Sequence, residues 1–131
     1  MIFVDTSAFY ALLDGDDAES SRALKFWEGK PSGERGFVTT NYVVLESMAL
    51  LQSRLGMPAV RVYRDAILPL IRTEWIDEVV HAQAVSAFIA ADRRGLSLVD
   101  LSSFETMRRL GIRSAFTFDR HFRQYGFETL P

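Results

Sequence analysis

Three times in this chain a short apolar run meets an aspartate and gives way to a helix-forming segment: Ile2-Phe-Val-Asp5, Leu96-Ser-Leu-Val-Asp100 and Ser114-Ala-Phe-Thr-Phe-Asp119. Continuous apolar runs of this length suit strands covered on both faces, and parallel strands require a helix-length crossover between them. The repetition therefore predicts an α/β fold of three layers, a mainly parallel sheet between helices, over residues 1–131 as a single domain. In such sheets ligands bind beyond the carboxyl ends of the strands. All three aspartates are expected at that edge.

The remaining punctuation fits the same plan. Helices are expected over 8–13 after the capping oxygens of Asp5, Thr6 and Ser7, and over 18–27, stopping in Gly29-Lys-Pro-Ser-Gly33. A second strand, 36–39, precedes a helix capped by Thr40 or Asn41 and running to Arg54. Helical spacing returns at 60–71, broken by Pro69, and an edge strand is expected at 74–76. The apolar positions Val80, Ala84, Val85, Phe88 and Ala91 predict a helix over 80–94 with Gly95 as its C-cap. A helix over 101–110 closes at Gly111, and a short turn over 120–125 stops at Gly126.

Composition removes many chemistries. There is no cysteine and there are two histidines, His81 and His121, so thiolate zinc, iron–sulfur and thiol-nucleophile sites are excluded. No P-loop, no Gly-x-Gly-x-x-Gly and no Gly-x-Ser-x-Gly elbow is present. Asp5-Thr-Ser lacks the Asp-x-Asp of haloacid-type phosphatases, and neither Lys25 nor Lys30 stands at a strand end, as a phosphoacceptor module would need. A net charge of -2 argues against binding nucleic acid by bulk charge. The charge is uneven, however: residues 1–50 hold eight acids against four bases, and residues 51–131 nine against eleven. Neither a secretion signal nor a membrane-spanning run is evident, so a cytoplasmic protein is expected.

The carboxylates in apolar company are the informative ones. Glu46 lies in Tyr42-Val-Val-Leu-Glu-Ser-Met-Ala-Leu-Leu51, and its helical neighbours Tyr42, Val43, Ala49 and Leu50 predict a carboxylate on the buried side. An aspartate between strand and helix is commonly no more than an N-cap. Together, though, Asp5, Glu46, Asp100 and Asp119 would crowd like charges into one crevice, which demands a compensating cation. Oxygen ligands alone suit Mg²⁺ or Mn²⁺, and such an ion supports phosphodiester hydrolysis without a side-chain nucleophile. Asp5, Glu46 and Asp100 are expected within metal reach, with Asp119 at the rim.

The chain resembles the PIN domains, and among them the small VapC-like ribonuclease toxins. The likeness rests on Val4-Asp5-Thr6-Ser7, on Glu46 in a helix, on Leu96-Ser-Leu-Val-Asp100-Leu-Ser-Ser-Phe104, and on Thr117-Phe-Asp119-Arg-His-Phe122 before Gly126-Phe127. It implies that the four acids are catalytic and hold the metal, that Thr6 or Ser7 supports the site, and that RNA is cut to leave a 5′-phosphate and a 3′-hydroxyl. It also implies inhibition by a cognate antitoxin protein. Arg120 and Arg123, in a basic C-terminal segment, are candidates for RNA contact. The apolar surplus at 42–51 and 60–71 predicts a homodimer, as does the resemblance. His121 reads as an exposed helical residue, and Trp27 and Trp75 as core or rim aromatics. The competing reading is a PIN-like RNA- or protein-binding module without catalysis, whose mark would be loss of an acid.

Overall fold

In the computed structural model, which describes residues 1–30 and 36–131, five parallel strands form one sheet in the order β3-β2-β1-β4-β5. The strands are β1 (Ile2–Val4), β2 (Phe37–Thr40), β3 (Arg72–Glu74), β4 (Ser114–Phe116) and β5 (Glu128–Leu130). The first crossover carries α1 (Thr6–Leu13) and α2 (Ser20–Glu28), and the second carries α3 (Asn41–Leu55) and α4 (Met57–Val62). The chain then returns through α5 (Glu78–Ala91) and α6 (Leu98–Leu110) to the far side of β1, and α7 (His121–Gln124) leads to β5. The strand order thus reverses between β1 and β4. Such a switch point opens a crevice at the carboxyl edge.

Register assigns the apolar side chains to the two layers. Val4 pairs with Phe116 and Ile2 with Phe37, and on that face Phe26 meets Phe116 edge-on while Trp27 stacks on Phe37. Phe3 alternates to the other face, where it packs beside Phe122, and Phe122 meets Phe104 edge-on. Phe104 also stacks on Tyr125 and Phe127, so this one side chain ties α6 to α7 and to the start of β5.

Several elements differ from their expectation, for identifiable reasons. Leu96 to Val99 is not a strand. Ser97 accepts the backbone N–H of Asp100 at 3.1 Å, and Asp100 Oδ2 accepts that of Ser97 at 3.0 Å, a reciprocal capping box that starts α6 at Leu98. The expected strand-acid-helix pattern therefore holds at Asp5 and Asp119 and fails at Asp100, which is the third residue of a helix. Helix α5 ends at Ala91 with Asp92, not Gly95, in the left-handed conformation, at φ 47°. The segment after α4 does not run on as one α-helix to Pro69. It widens to a π-helical turn over Tyr63–Ile67 and tightens to a 3₁₀ turn over Leu68–Leu70, so β3 begins two residues earlier than expected, at Arg72. Strand β5 was not anticipated, because Glu128-Thr-Leu130 is too short to show alternation. The expected break at Gly29-Lys-Pro-Ser-Gly33 lies partly outside the described residues.

Phe104 is fully buried and links three elements. Replacing it with alanine should cost about 3–5 kcal/mol, the usual range for emptying a buried aromatic position. Denaturant unfolding of F104A checks this, and a loss below about 1 kcal/mol would show that the layer repacks.

Candidate metal centre

The site is assembled around Asp5. Strand β1 delivers it to the carboxyl edge, where its backbone N–H donates to Phe116 O at 3.1 Å and its side chain caps α1. Its Oδ2 accepts hydrogen bonds from Ser7 Oγ at 2.9 Å and Thr117 Oγ1 at 3.1 Å. The same two hydroxyl oxygens accept backbone N–H groups from the turn after β4: Phe118 N donates to Ser7 Oγ at 2.9 Å, and Asp119 N to Thr117 Oγ1 at 3.0 Å. Asp5 and the turn carrying Asp119 are thereby locked together. Thr6 points elsewhere, accepting Ser47 Oγ at 3.2 Å and so fixing α1 against α3 one residue beyond Glu46.

Asp100 and Asp119 each offer a ligand atom to one cluster, with all of its ligand atoms within 4.8 Å of one another, and the third member is His121. His121 is half-buried, not the exposed residue expected from sequence. Its Nδ1 lies 2.7 Å from Asp119 Oδ1 but out of line for a hydrogen bond, and this buried nitrogen has no hydrogen-bond partner among the described residues. The backbone N–H of His121 donates to the same Asp119 oxygen at 2.9 Å. An Asx-type turn, in which Asp119 Oδ1 takes the N–H two residues on, is what sets His121 beside this carboxylate.

Glu46 is also corrected. It occupies an exposed position on α3, because of its four apolar helical neighbours only Val43 is buried, while Ala49 is exposed. Its carboxylate nonetheless feels the site. Crowding by protein atoms, then the charges of Asp5, Asp100 and Asp119, push its pKa up to about 7. Asp5, buried, is pushed up to about 6 by desolvation, with Asp100 and Asp119 adding to this and the Ser7 and Thr117 hydroxyls opposing it. Asp100 is likewise raised, first by burial, with the Ser97 backbone N–H opposing and Asp119 reinforcing. The acids reach one another electrostatically, with Glu46 at the rim and Asp119 inside the tight cluster, the reverse of the expected order.

This donor set fits a hard divalent cation. Carboxylate oxygens dominate, one imidazole nitrogen is left without a partner, and the acids are held in a state that added positive charge would relieve. A PIN domain model matches residues 2–128. The chain belongs to the PIN domain family. Among curated PIN domain relatives, the 23S rRNA-specific endonuclease VapC20 of Mycobacterium tuberculosis is 36% identical over 128 residues, covering 97% of this chain and 95% of that protein. The crystal structure of VapC20, a Sarcin-Ricin loop cleaving toxin, superposes on the whole of both chains with a TM-score of 0.89 at 34% identity. FitAcB from Neisseria gonorrhoeae, at 18% identity, shares the fold with a TM-score of 0.74. PIN nucleases work with divalent metal, and this PIN domain has an acidic centre able to hold one.

The raised acids set the sign of a pH effect in the metal-free protein. Glu46 holds its proton more tightly folded than unfolded, where the value is near 4.5, so its contribution to stability is complete below that pH and is lost as pH rises through about 7. Metal-free Glu46→Gln should therefore melt above wild type at pH 8, by about 2 °C or more, with the gap closing near pH 4. Thermal melts in EDTA at both pH values check this, and a variant that is less stable at pH 8 would place Glu46 outside the repulsive cluster.

Proposed function

We propose that this PIN domain is a metal-dependent endoribonuclease and the toxin of a toxin–antitoxin pair. The observation that carries the reading is the convergence of Asp100, Asp119 and His121 beside the buried, hydroxyl-anchored Asp5, in a chain 36% identical to an rRNA endonuclease over nearly its full length. The silent-module alternative loses its mark, since none of the four acids is missing from the sequence.

Asp5, Glu46, Asp100 and Asp119 would hold Mg²⁺ or Mn²⁺, with His121 as a further ligand. When bound, such an ion would supply Lewis-acid stabilisation of phosphoryl charge and activation of water for hydrolysis, and the family resemblance implies products with a 5′-phosphate and a 3′-hydroxyl. The chain's own contribution is preorganisation. Ser7 and Thr117 fix Asp5 and, through the backbone, Asp119; the capping box fixes Asp100; Thr6 steadies the helix bearing Glu46. The VapC20 likeness makes the Sarcin-Ricin loop of 23S rRNA the first substrate to examine. Arg120 and Arg123 would contact its backbone, and such a substrate implies action in the cytoplasm. Among the described residues no helix is long and apolar enough to cross a membrane.

Two assemblies belong to the same reading. Leu45 on α3 and Ile89 on α5 are 72% and 70% exposed, with Met57 and Val62 of α4 also open, apolar side chains that a second copy of the chain would cover. A cognate antitoxin would lay a segment along the acidic crevice, presenting a cation to the carboxylates.

Asp5→Asn and Asp100→Asn should each lower RNA cleavage by about 100-fold or more while keeping the fold, because the amide preserves shape and removes the charge that holds the ion. Cleavage should also stop in EDTA and return with Mg²⁺ or Mn²⁺. Gel assays on a Sarcin-Ricin loop RNA, with circular dichroism of each variant, decide it. Undiminished cleavage by either variant would remove that residue from the mechanism, and cleavage that survives chelation would remove the metal. In sedimentation, a monomer at all micromolar concentrations would refute the dimer.

A further inference from the structure

Beside Asp119 the surface opens into a cleft of about 270 Å³ that lies outside the acidic centre and shares only this one acid with it. Three guanidinium-bearing residues from two separated stretches of chain line it: Arg22 of α2, and Arg120 and Arg123 around α7. The cleft is also preorganised. Arg22 is clamped by Glu19 Oε2 at 2.8 Å and by the carbonyl of Pro131 at 3.2 Å, and its guanidinium lies 5.7 Å from the centre of the Phe118 ring. Arg123 is steered by Thr129, donating to its Oγ1 at 2.9 Å.

The charge in this cleft is largely unspent. Arg22 has a carboxylate partner, whereas among the described residues neither Arg120 nor Arg123 forms an ion pair. Arginine's planar fork suits phosphate, and a concave site with two guanidiniums outside any ion pair among the described residues, bordered by Asp119 of the acidic centre, suits a polymer whose every link carries one charge. Phe118 serves as the floor under Arg22. It also belongs to the turn whose N–H groups reach Ser7 and Thr117, so the cleft and the acidic centre are held in fixed relation.

We propose that the cleft formed by Arg22, Arg120 and Arg123 is a subsite for an RNA phosphate flanking the scissile one, setting the register of the strand across the acidic centre. The proposal rests on the ribonuclease reading above and names three positioning residues for it. Arg22, a hundred residues distant in sequence from the other two, is the member that only the fold reveals.

The test separates the subsite from the nuclease assignment by using two readouts. Binding of a Sarcin-Ricin loop RNA is measured by fluorescence anisotropy in EDTA, and cleavage is measured with Mn²⁺ at saturating and subsaturating RNA. For Arg22→Gln, Arg120→Gln and Arg123→Gln the expected result is a KM raised several-fold with kcat within about twofold, and a salt dependence of binding shallower by about 0.7 per guanidinium removed, the single-strand value. Arg→Lys at each position should restore the salt slope but only part of the KM, since the charge returns without the fork. A set of RNAs, each with one phosphate replaced by a neutral methylphosphonate, should reveal one flanking position whose neutralisation weakens wild-type binding and leaves the Arg123→Gln protein unaffected. Wild-type cleavage with unchanged KM and salt slope in all three Gln variants would overturn the subsite while leaving the nuclease standing. So would variants that bind RNA normally and lose affinity only for an antitoxin, which would reassign the cleft to protein. Failure of wild type to bind RNA at all would overturn both.

Discussion

The hydrogen bonds that converge on Asp5 Oδ2 are the constraint on which the rest of the structure depends. One carboxylate oxygen takes the protons of Ser7 and Thr117, and those hydroxyls take the N–H groups of Phe118 and Asp119. Residues from the ends of β1 and β4, more than a hundred positions apart, are thus joined at the strand-order reversal. The parallel pairing of Val4 with Phe116 brings the two ends level, and the shared hydroxyls convert that proximity into a fixed orientation of two acids. A slip of one residue between β1 and β4 would carry Asp5 to the other side of the sheet edge and undo both.

How much of this was legible in the sequence depended on whether a local signal or a tertiary contact decided each element. Strands β1 and β4 announce themselves as apolar runs, and helix α3 starts where Thr40 can accept the N–H of Val43, so these came through. Asp100 lies in a different element from the one expected: Leu96 to Val99 is as apolar as a strand, and the Ser97-x-x-Asp100 spacing that makes a capping box outweighs it. Glu46 misled through its neighbours. An apolar helix face predicts burial only if something covers it, and on α3 Leu45 and Ala49 remain open. His121 carries no such signal, because its place in the cluster depends on Asp119 turning back upon it, which no periodicity records. Arg22 carries no local signal at all, since its place beside Phe118 and Arg123 exists only after α2 has packed.

In the three aspartates the roles of capping residue and candidate metal ligand meet. Asp5 Oδ2 takes the Ser7 and Thr117 hydroxyls, Asp100 Oδ2 takes the N–H of Ser97, and Asp119 Oδ1 takes the N–H of His121. In each case the named donors engage one oxygen of the carboxylate. The second oxygen of each carboxylate takes none of these donors, which is how a cluster of like charges can be both rigid and available to a cation. Burial first, and repulsion among the acids after it, raises Asp5 and Asp100; the hydrogen bonds oppose this, and a cation entering the crevice would relieve what remains.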